Sequence, residues 1–166
     1  MQYFFFDTCA INHIRELYTN ISLDLRNDLM QFRLGITSAV LTEWNHYELN
    51  AFLDPANCYH IPIQNEDMAK MIGKYPFFSE FDLADQTLIY VAINESAVII
   101  SDDGALNAAI VSINRRALFL PDFIIQLTKS GILKKKVVGQ MFRYWEKVAR
   151  YNKKMLKRWI EILNQI

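Results

Sequence analysis

Two short runs of apolar residues, each ended by an acidic turn, constrain the fold of this chain more than any other feature. The first is Tyr3–Phe6, followed by Asp7, and the second is Ala97–Ile100, followed by the turn 101–104 with Asp103. A strand that is apolar on both faces is typical of a parallel sheet. In such sheets, ligands bind outside the carboxyl ends of the strands. Asp7 and Asp103 are therefore predicted to be neighbours.

The rest of the chain alternates helix-like and strand-like patterns. After Asp7, for example, apolar residues recur at helical spacing through Ile11, Ile14 and Leu17. This alternation predicts an α/β fold in which helices flank a parallel sheet on both faces. A chain of 166 residues with 52% apolar content can bury a sizeable core.

Two further acids are predicted to lie early in helices. Residues 35–38 read as a strand end and a helix cap, which places Glu43 in an early turn of the following helix. Asp82 is a candidate cap for a second helix, and Asp85 lies three residues further, on the same face. Asp85 is the preferred site residue because it lies deeper in the first turn, and Asp82 is the alternative.

Four acids are thus candidates for one site: Asp7, Glu43, Asp85 and Asp103. Carboxylates repel one another unless a cation lies between them, so the set indicates a divalent metal and an enzyme that uses it. Each acid taken alone has another interpretation. An Asp at a strand end also caps the next helix, and the helix dipole favours a Glu in the first turn.

Four segments of the chain, taken in order, resemble the pattern of the PIN-domain ribonucleases, and in particular the VapC-like toxins. The segments are 6–8, 42–43, 83–89 and 99–103. The family pattern is a strand ending in Asp-Thr or Asp-Ser, a Glu early in a helix, a Leu-x-Asp-x-x-Ile/Leu helix start, and a strand ending in Thr/Ser-x-Asp/Asn. The resemblance covers about residues 1–120.

The resemblance implies hydrolysis of RNA phosphodiester bonds with Mg²⁺ or Mn²⁺, which prefer hard oxygen ligands. Asp7 and Asp103 are the expected direct ligands. Glu43 and Asp85 are expected either to bind the ion or to orient water bound to it. All four acids are then catalytic residues.

Other residues have supporting or alternative roles in this interpretation. The hydroxyls of Thr8 and Ser101 can hold the carboxylates by hydrogen bonds. Asp102 lies beside Asp103, so the sequence leaves open which of the two faces the metal.

The resemblance also implies a biological role. VapC-like toxins are held by a cognate antitoxin and often dimerise, so an antitoxin and a homodimer are expected partners besides RNA. The alternatives are a housekeeping RNA-processing nuclease and a non-catalytic PIN-like module that binds RNA or protein.

Charge divides the chain into two parts. Residues 1–128 contain 7 Lys or Arg and 16 Asp or Glu, whereas residues 129–166 contain 11 and 2. We therefore predict a nuclease-like domain over 1–128 and a cationic helical extension over 129–166, packed on that domain or on a partner subunit. Compact toxins of the family generally lack such an extension.

Apolar residues in the extension recur at three- and four-residue intervals, which predicts one long basic amphipathic helix. Basic residues recur on its other face, and those proposed to bind RNA phosphates are Arg143, Lys147, Arg150 and Lys154. The alternatives are a solvated face, a clamp on an acidic partner and, ranked lower, binding to a membrane surface.

The sequence favours a cytoplasmic protein. No segment has the apolar length that spans a bilayer, and the start of the chain lacks the basic region of a signal peptide. Cys9 and Cys58 form neither a metal-spacing motif nor a disulfide framework. Cys9 is expected to be a small core residue rather than a nucleophile.

Overall fold

The computed structural model describes residues 2–166 and contains a sheet of five parallel strands. The strands are β1 (Tyr3–Phe6), β2 (Leu34–Thr37), β3 (Tyr59–Ile61), β4 (Ala97–Ile100) and β5 (Arg116–Leu118). They lie in the order β3-β2-β1-β4-β5, and every neighbouring pair is parallel. The predicted α/β class with a parallel sheet is confirmed.

Helices fill the connections and the C-terminal segment. They are α1 (Thr8–Ile21), α2 (Arg26–Leu29), α3 (Ser38–His46), α4 (Asn65–Lys74), α5 (Leu83–Asn94), α6 (Gly104–Ser112), α7 (Leu120–Lys129), α8 (Lys135–Lys147) and α9 (Lys153–Asn164). Short 3₁₀ turns occur at Leu49–Ala51, Pro55–Asn57 and Pro76–Glu80. Helix α5 packs against α3, α4 and α6, whereas α8 packs against α1, α7 and α9.

The phenylalanines of β1 show that helices cover both faces of the sheet. Successive side chains of a strand point to opposite faces. Phe4 and Phe6 contact Phe123 of α7. Phe5 points the other way, toward the face on which Thr37 of β2 forms a 2.7 Å hydroxyl hydrogen bond with Thr87 of α5. The continuous apolar run of β1 is therefore buried between two helical layers.

Gly35 in β2 leaves the space that the ring of Phe5 fills. A Cβ atom added to Gly35 would lie 2.2 Å from Cζ of Phe5, a side chain with no exposed surface. We expect Gly35→Ala to lower the free energy of unfolding by about 3 kcal/mol, because overpacking a rigid core forces side chains off their rotamers. Urea denaturation measures this change.

Gly73 in α4 provides the matched control. A Cβ at Gly73 would meet no atom within 4 Å. Gly73→Ala should therefore be neutral or stabilise the protein by up to about 1 kcal/mol, the helix-propensity difference. Equal unfolding midpoints for the two variants would contradict the described packing of Phe5 on β2.

The order of the strands fixes where a ligand can bind. The chain runs outward from β1 through β2 to β3, and then crosses back to β4 and β5 on the other side of β1. The connections thus leave β1 and β4 in opposite directions and open a crevice at their carboxyl ends. Asp7 and Ser101 are the first residues beyond these two strands.

The prediction of one long C-terminal helix is wrong. The segment forms α8 and α9, which are separated by residues 148–152. Ala149 has a φ of 51°, in the left-handed region that ends the first helix. The side-chain oxygen of Asn152 accepts a 2.8 Å hydrogen bond from the amide of Met155 and caps the second.

Both C-terminal helices pack on the core of the same chain. Trp145 of α8 and Trp159 of α9 are buried, and the indole N–H of Trp159 donates a 2.9 Å hydrogen bond to Asp122 of α7. The apolar core is continuous across residues 128 and 129. Over residues 2–166, none of the helices combines the length and apolar character that crossing a membrane requires.

Candidate active site

A cavity of about 360 Å³ lies at the carboxyl ends of β1 and β4. It is lined by Asp7, Thr8, Cys9, Asn12, Glu43, Tyr47, Asp82, Asp85 and Asp103. All four predicted acids and the alternative Asp82 are among these residues, although they come from four separate segments of the chain. Five carboxylates therefore surround one small space.

Asp7 is a buried carboxylate, with 8% of its surface exposed. Its Oδ2 accepts 2.7 Å hydrogen bonds from the hydroxyl of Ser101 and the thiol of Cys9. Its backbone amide donates to the carbonyl of Ile100, which ties the start of α1 to the end of β4. The Asp7 side chain makes no hydrogen bond that caps α1. Helix capping therefore does not account for this acid.

Glu43 is held at the cavity by two threonines. The hydroxyl of Thr37 accepts a 3.3 Å hydrogen bond from the backbone of α3 and caps the helix that carries Glu43. The hydroxyl of Thr8 donates to Glu43 Oε2. Burial raises the pKa of Glu43, the Thr8 hydrogen bond opposes this shift, and the charges of Asp82 and Asp7 add to it.

Asp82 and Asp85 have different roles at the start of α5. Asp82 caps the helix, because its Oδ1 accepts a 3.0 Å hydrogen bond from the amide of Asp85. Asp85 lies in the first helical turn. Burial, together with the smaller effects of the charges of Asp7, Asp82, Asp103 and Glu43, raises its pKa to about 7. At neutral pH without a cation, Asp85 is therefore close to half protonated.

Asp103 both caps α6 and lines the cavity. Its Oδ1 accepts hydrogen bonds of 2.7 Å and 2.9 Å from the amides of Ala105 and Leu106. The capping interpretation is thus correct for this acid, but it accounts for one carboxylate oxygen. Oδ2 receives no hydrogen bond from residues 2–166.

Asp102 does not line the cavity, so the alternative assignment of this residue to the metal is not supported by its position. Its side chain is 6% exposed. Oδ2 lies 2.6 Å from Nδ1 of His13 and accepts a 2.6 Å hydrogen bond from the hydroxyl of Tyr151. Oδ1 accepts a 3.0 Å hydrogen bond from the amide of Leu120. Of the two adjacent acids, Asp103 is the one at the cavity.

Three lining residues were missed by reasoning from sequence: Cys9, Asn12 and Tyr47. Asn12 and Tyr47 each follow a predicted site residue, Thr8 or Glu43, by four positions and so share its side of the helix. That spacing was an available signal. Cys9 is partly buried and lines the cavity, so the expectation that it is a core residue is wrong. Burial and the neighbouring Asp7 raise the pKa of its thiol well above the usual range, which agrees with the expectation that Cys9 is not a nucleophile.

Arg143 and Lys147 lie away from the acidic cavity. They line a groove of about 590 Å³ together with Asn20 and Ile21, at the far end of α1 from Thr8. A helix of this length separates its two ends by about 20 Å. An RNA chain would have to extend along the protein to touch both places.

The other two basic candidates are in different environments. Arg150 forms an ion pair with Glu16 of α1 that is only partly exposed. Lys154 lies in the first turn of α9 and is exposed. The four predicted cations therefore do not form one continuous basic face.

The carboxylates around the cavity fit a hard divalent cation by donor chemistry and by charge. All five acids offer oxygen ligands, and in residues 2–166 neither Oδ1 of Asp7 nor Oδ2 of Asp103 receives a hydrogen bond. In that part of the chain, no three Asp, Glu, His or Cys side chains already stand close enough to hold one ion. Without a cation the carboxylates repel one another. A bound cation would offset this repulsion and draw them together.

Comparisons with known proteins add no relationship to this picture. No protein-family model matches the chain. Neither curated proteins nor solved structures give a significant match. The function must therefore be argued from the chemistry of the cavity and from the four motif segments.

Proposed function

We propose that this protein is a metal-dependent endoribonuclease with a PIN-like fold, which hydrolyses RNA phosphodiester bonds. The observation that carries the proposal is the convergence of five carboxylates on one cavity at the switch point of a parallel sheet. Asp7 is the most informative member, because it is buried and does not cap its helix. A buried charge is costly unless an opposite charge compensates it, and a bound cation would do so.

Mg²⁺ or Mn²⁺ would be held by Asp7 and Asp103, with Glu43 and Asp85 as further ligands or as acceptors for coordinated water. When bound, such an ion lowers the pKa of its water and offsets charge on the phosphate oxygens. Apart from the thiol of Cys9 and the amide nitrogen of Asn12, the polar groups that line the cavity are oxygens, most of them from the five carboxylates, and oxygen ligands favour these hard ions.

The chain's own residues prepare the carboxylates for this role. Ser101 and Cys9 both donate to Oδ2 of Asp7, which orients Oδ1 as the remaining acceptor. Thr8 restrains Glu43 in the same way. Supporting hydrogen bonds of this kind orient ligands and raise metal affinity. Near neutral pH, Asp85 would lose its proton when a cation binds.

The biological role that we propose is the toxin of a toxin–antitoxin pair in the cytoplasm, with a cognate antitoxin and a second copy of the chain as partners. The four motif segments support this role, and a housekeeping RNA-processing nuclease would use the same chemistry. The alternative of a non-catalytic PIN-like binding module is favoured by the helix-capping bonds of Asp82 and Asp103.

Incubation of total cellular RNA with the purified protein tests the proposed function. Discrete fragments that form with Mn²⁺ or Mg²⁺ and disappear with chelator are the expected result. A binding module would instead retain RNA without cutting it and would gain no thermal stability from Mn²⁺. RNA binding without cleavage and without stabilisation by Mn²⁺ would contradict the proposal, provided that the protein is folded and free of a co-purified inhibitor.

Arg143 and Lys147 are proposed to bind RNA phosphates outside the cavity. The double variant Arg143→Gln, Lys147→Gln should weaken RNA binding and reduce the slope of log affinity against log salt by about 1.4, the value for two contacts with single-stranded RNA. Filter binding across a salt series measures both effects. Arg150 is left unchanged because it pairs with Glu16.

Lys70→Gln, Lys74→Gln in α4 makes the same change in charge away from the groove. This control should keep the wild-type salt slope. If both double variants behave alike, Arg143 and Lys147 serve solubility rather than RNA binding.

A further inference from the structure

The loop between β4 and α6 connects the acidic cavity to a buried network on its other side. Ser101 donates to Asp7, and Asp103 lines the cavity. Asp102, between them, accepts hydrogen bonds from three other parts of the protein. We call Asp102 and its donors His13, Leu120 and Tyr151 the Asp102 clasp.

The clasp joins segments that are far apart in sequence. His13 belongs to α1, the Leu120 amide begins α7, and Tyr151 lies between α8 and α9. Nδ1 of His13 lies 2.6 Å from the carboxyl oxygen that also accepts from Tyr151, so we assign the proton of this contact to Nδ1. Burial, with the neighbouring Asp102, raises the pKa of Tyr151 well above its usual range, so its hydroxyl remains a donor.

Tyr151 is fixed in place by aromatic neighbours. Its ring centroid lies 5.4 Å from that of Trp145 and 5.1 Å from that of Trp159, in edge-to-face geometry. The break between α8 and α9, with Ala149 in the left-handed region, places Tyr151 at this point. A continuous helix would not turn the backbone there.

The loop is also braced from the cavity side. The hydroxyl of Ser101 accepts a 3.0 Å hydrogen bond from the amide of Asp103, and Asn107 donates a 2.8 Å hydrogen bond to the Ser101 carbonyl. The backbone from 101 to 103 therefore has little freedom while Asp102 remains held. Loss of a donor to Asp102 would leave a buried carboxyl oxygen with fewer hydrogen bonds and favour movement of the loop.

We propose that Tyr151 and His13 are positioning residues of the acidic site, which act through Asp102 to hold Asp103 and Ser101 in place. The inference rests on the proposed metal-dependent function. It assigns the C-terminal segment a part in building the site, although that segment supplies no residue to the cavity lining.

Tyr151→Phe tests the proposal with little change in packing, since it removes the hydroxyl and keeps the ring. We expect Mn²⁺ to bind about tenfold more weakly, the lower end of the effect of removing an outer hydrogen bond. Titration of the protein with Mn²⁺ alone, followed by electron paramagnetic resonance of the free ion, measures this affinity. In an Asp103→Asn background, the effect of Tyr151→Phe should shrink, because the two residues act on one unit.

Glu16→Gln is the matched control. It weakens the ion pair with Arg150, the residue next to Tyr151, and so loosens the same connection to α1 without touching Asp102. Asn12 of the cavity lining donates a 3.4 Å hydrogen bond to Oε1 of Glu16, and the amide oxygen of Gln can accept it in the variant. The Mn²⁺ affinity of Glu16→Gln should therefore stay within about twofold of wild type. If the two variants lose Mn²⁺ affinity equally, Tyr151 has only a general structural role, and the proposal is overturned.

Amide hydrogen exchange in chelator separates this proposal from the proposed function. Tyr151→Phe should speed exchange at Ala105 and Leu106, whose amides bind Asp103, while Glu16→Gln should not. Unchanged exchange in Tyr151→Phe would overturn the clasp even if the wild type binds Mn²⁺. If exchange is faster in Tyr151→Phe but the wild type neither binds Mn²⁺ nor cuts RNA, the structural role of the clasp is supported and the proposed nuclease function is rejected.

Discussion

Replacement of Asp7 by Asn is expected to abolish RNA cleavage, with a loss of at least ~10³-fold in rate, or about 4 kcal/mol of transition-state stabilisation. The variant removes the charge that would bind the cation. It keeps an oxygen that can accept the hydrogen bonds from Ser101 and Cys9. The fold should therefore persist. Initial rates of cleavage in Mn²⁺, together with urea unfolding midpoints, measure both expectations.

Asp54→Asn is the control for the Asp7 variant. Asp54 caps the 3₁₀ turn at Pro55–Asn57, and it does not line the acidic cavity. The same chemical change there should leave cleavage at the wild-type rate. If Asp7→Asn is folded and cuts RNA as fast as Asp54→Asn, Asp7 is not a catalytic residue.

Asp85→Asn is expected to stabilise the ion-free protein and at the same time to reduce cleavage by about 10²-fold, the upper range for an outer or shared metal ligand. The pKa of Asp85 is raised to about 7 in the folded protein, so folding favours its protonated form. The stability that this proton provides is fully present below the unfolded pKa, near 4, and is lost as the pH rises through 7. Asp85→Asn should not show this pH-dependent loss of stability, because Asn does not titrate.

The size of the stabilisation is limited because Asp85 is only partly buried. After allowance for solvent screening we expect about 1–2 kcal/mol at pH 8, or a melting temperature higher by ~3–6 °C. Thermal melts in chelator between pH 4 and pH 8 should show a falling stability for wild type and a flatter profile for Asp85→Asn. With Mn²⁺ added, the wild type should gain more than the variant.

A melting temperature of Asp85→Asn below wild type in chelator at pH 8 would contradict this electrostatic account. It would mean that the carboxylate is stabilised by donors rather than opposed by the acids around it. Asp54 caps an exposed turn, so Asp54→Asn should keep the pH profile of the wild type.

The meeting of Asp7 and Asp103 could be predicted from sequence because strand geometry is local information. An apolar run that ends in an acid identifies the carboxyl end of a strand, and parallel pairing then brings such ends to one edge. Asp82 as a cap and Asp85 within the helix follow from the same local rules.

The choice between Asp102 and Asp103 could not be predicted in this way. The two residues are adjacent and chemically identical, and what separates them is the set of donors around Asp102. Those donors come from His13 and Tyr151, which lie 89 and 49 residues away. No periodicity in the sequence encodes such contacts.

The break between α8 and α9 was missed for a related reason. Apolar residues keep their three- and four-residue spacing across residues 148–152, because both helices cover the same core. Asn152 was the one local signal of a new helix start, and Ala149 is a residue type that gives no warning of a left-handed conformation.

The long sequence separation between the residues of the acidic cavity sets the order in which this site can be assembled during synthesis. A ribosome releases β1 and Asp7 first, yet the hydroxyl that holds Asp7 comes 94 residues later, on Ser101. All four acids have been made by residue 103, but the Tyr151 hydroxyl that secures Asp102 has not. A nascent chain that stops short of Tyr151 therefore carries all four proposed catalytic residues but lacks the hydroxyl that we propose to hold Asp102 and, through it, the acidic site.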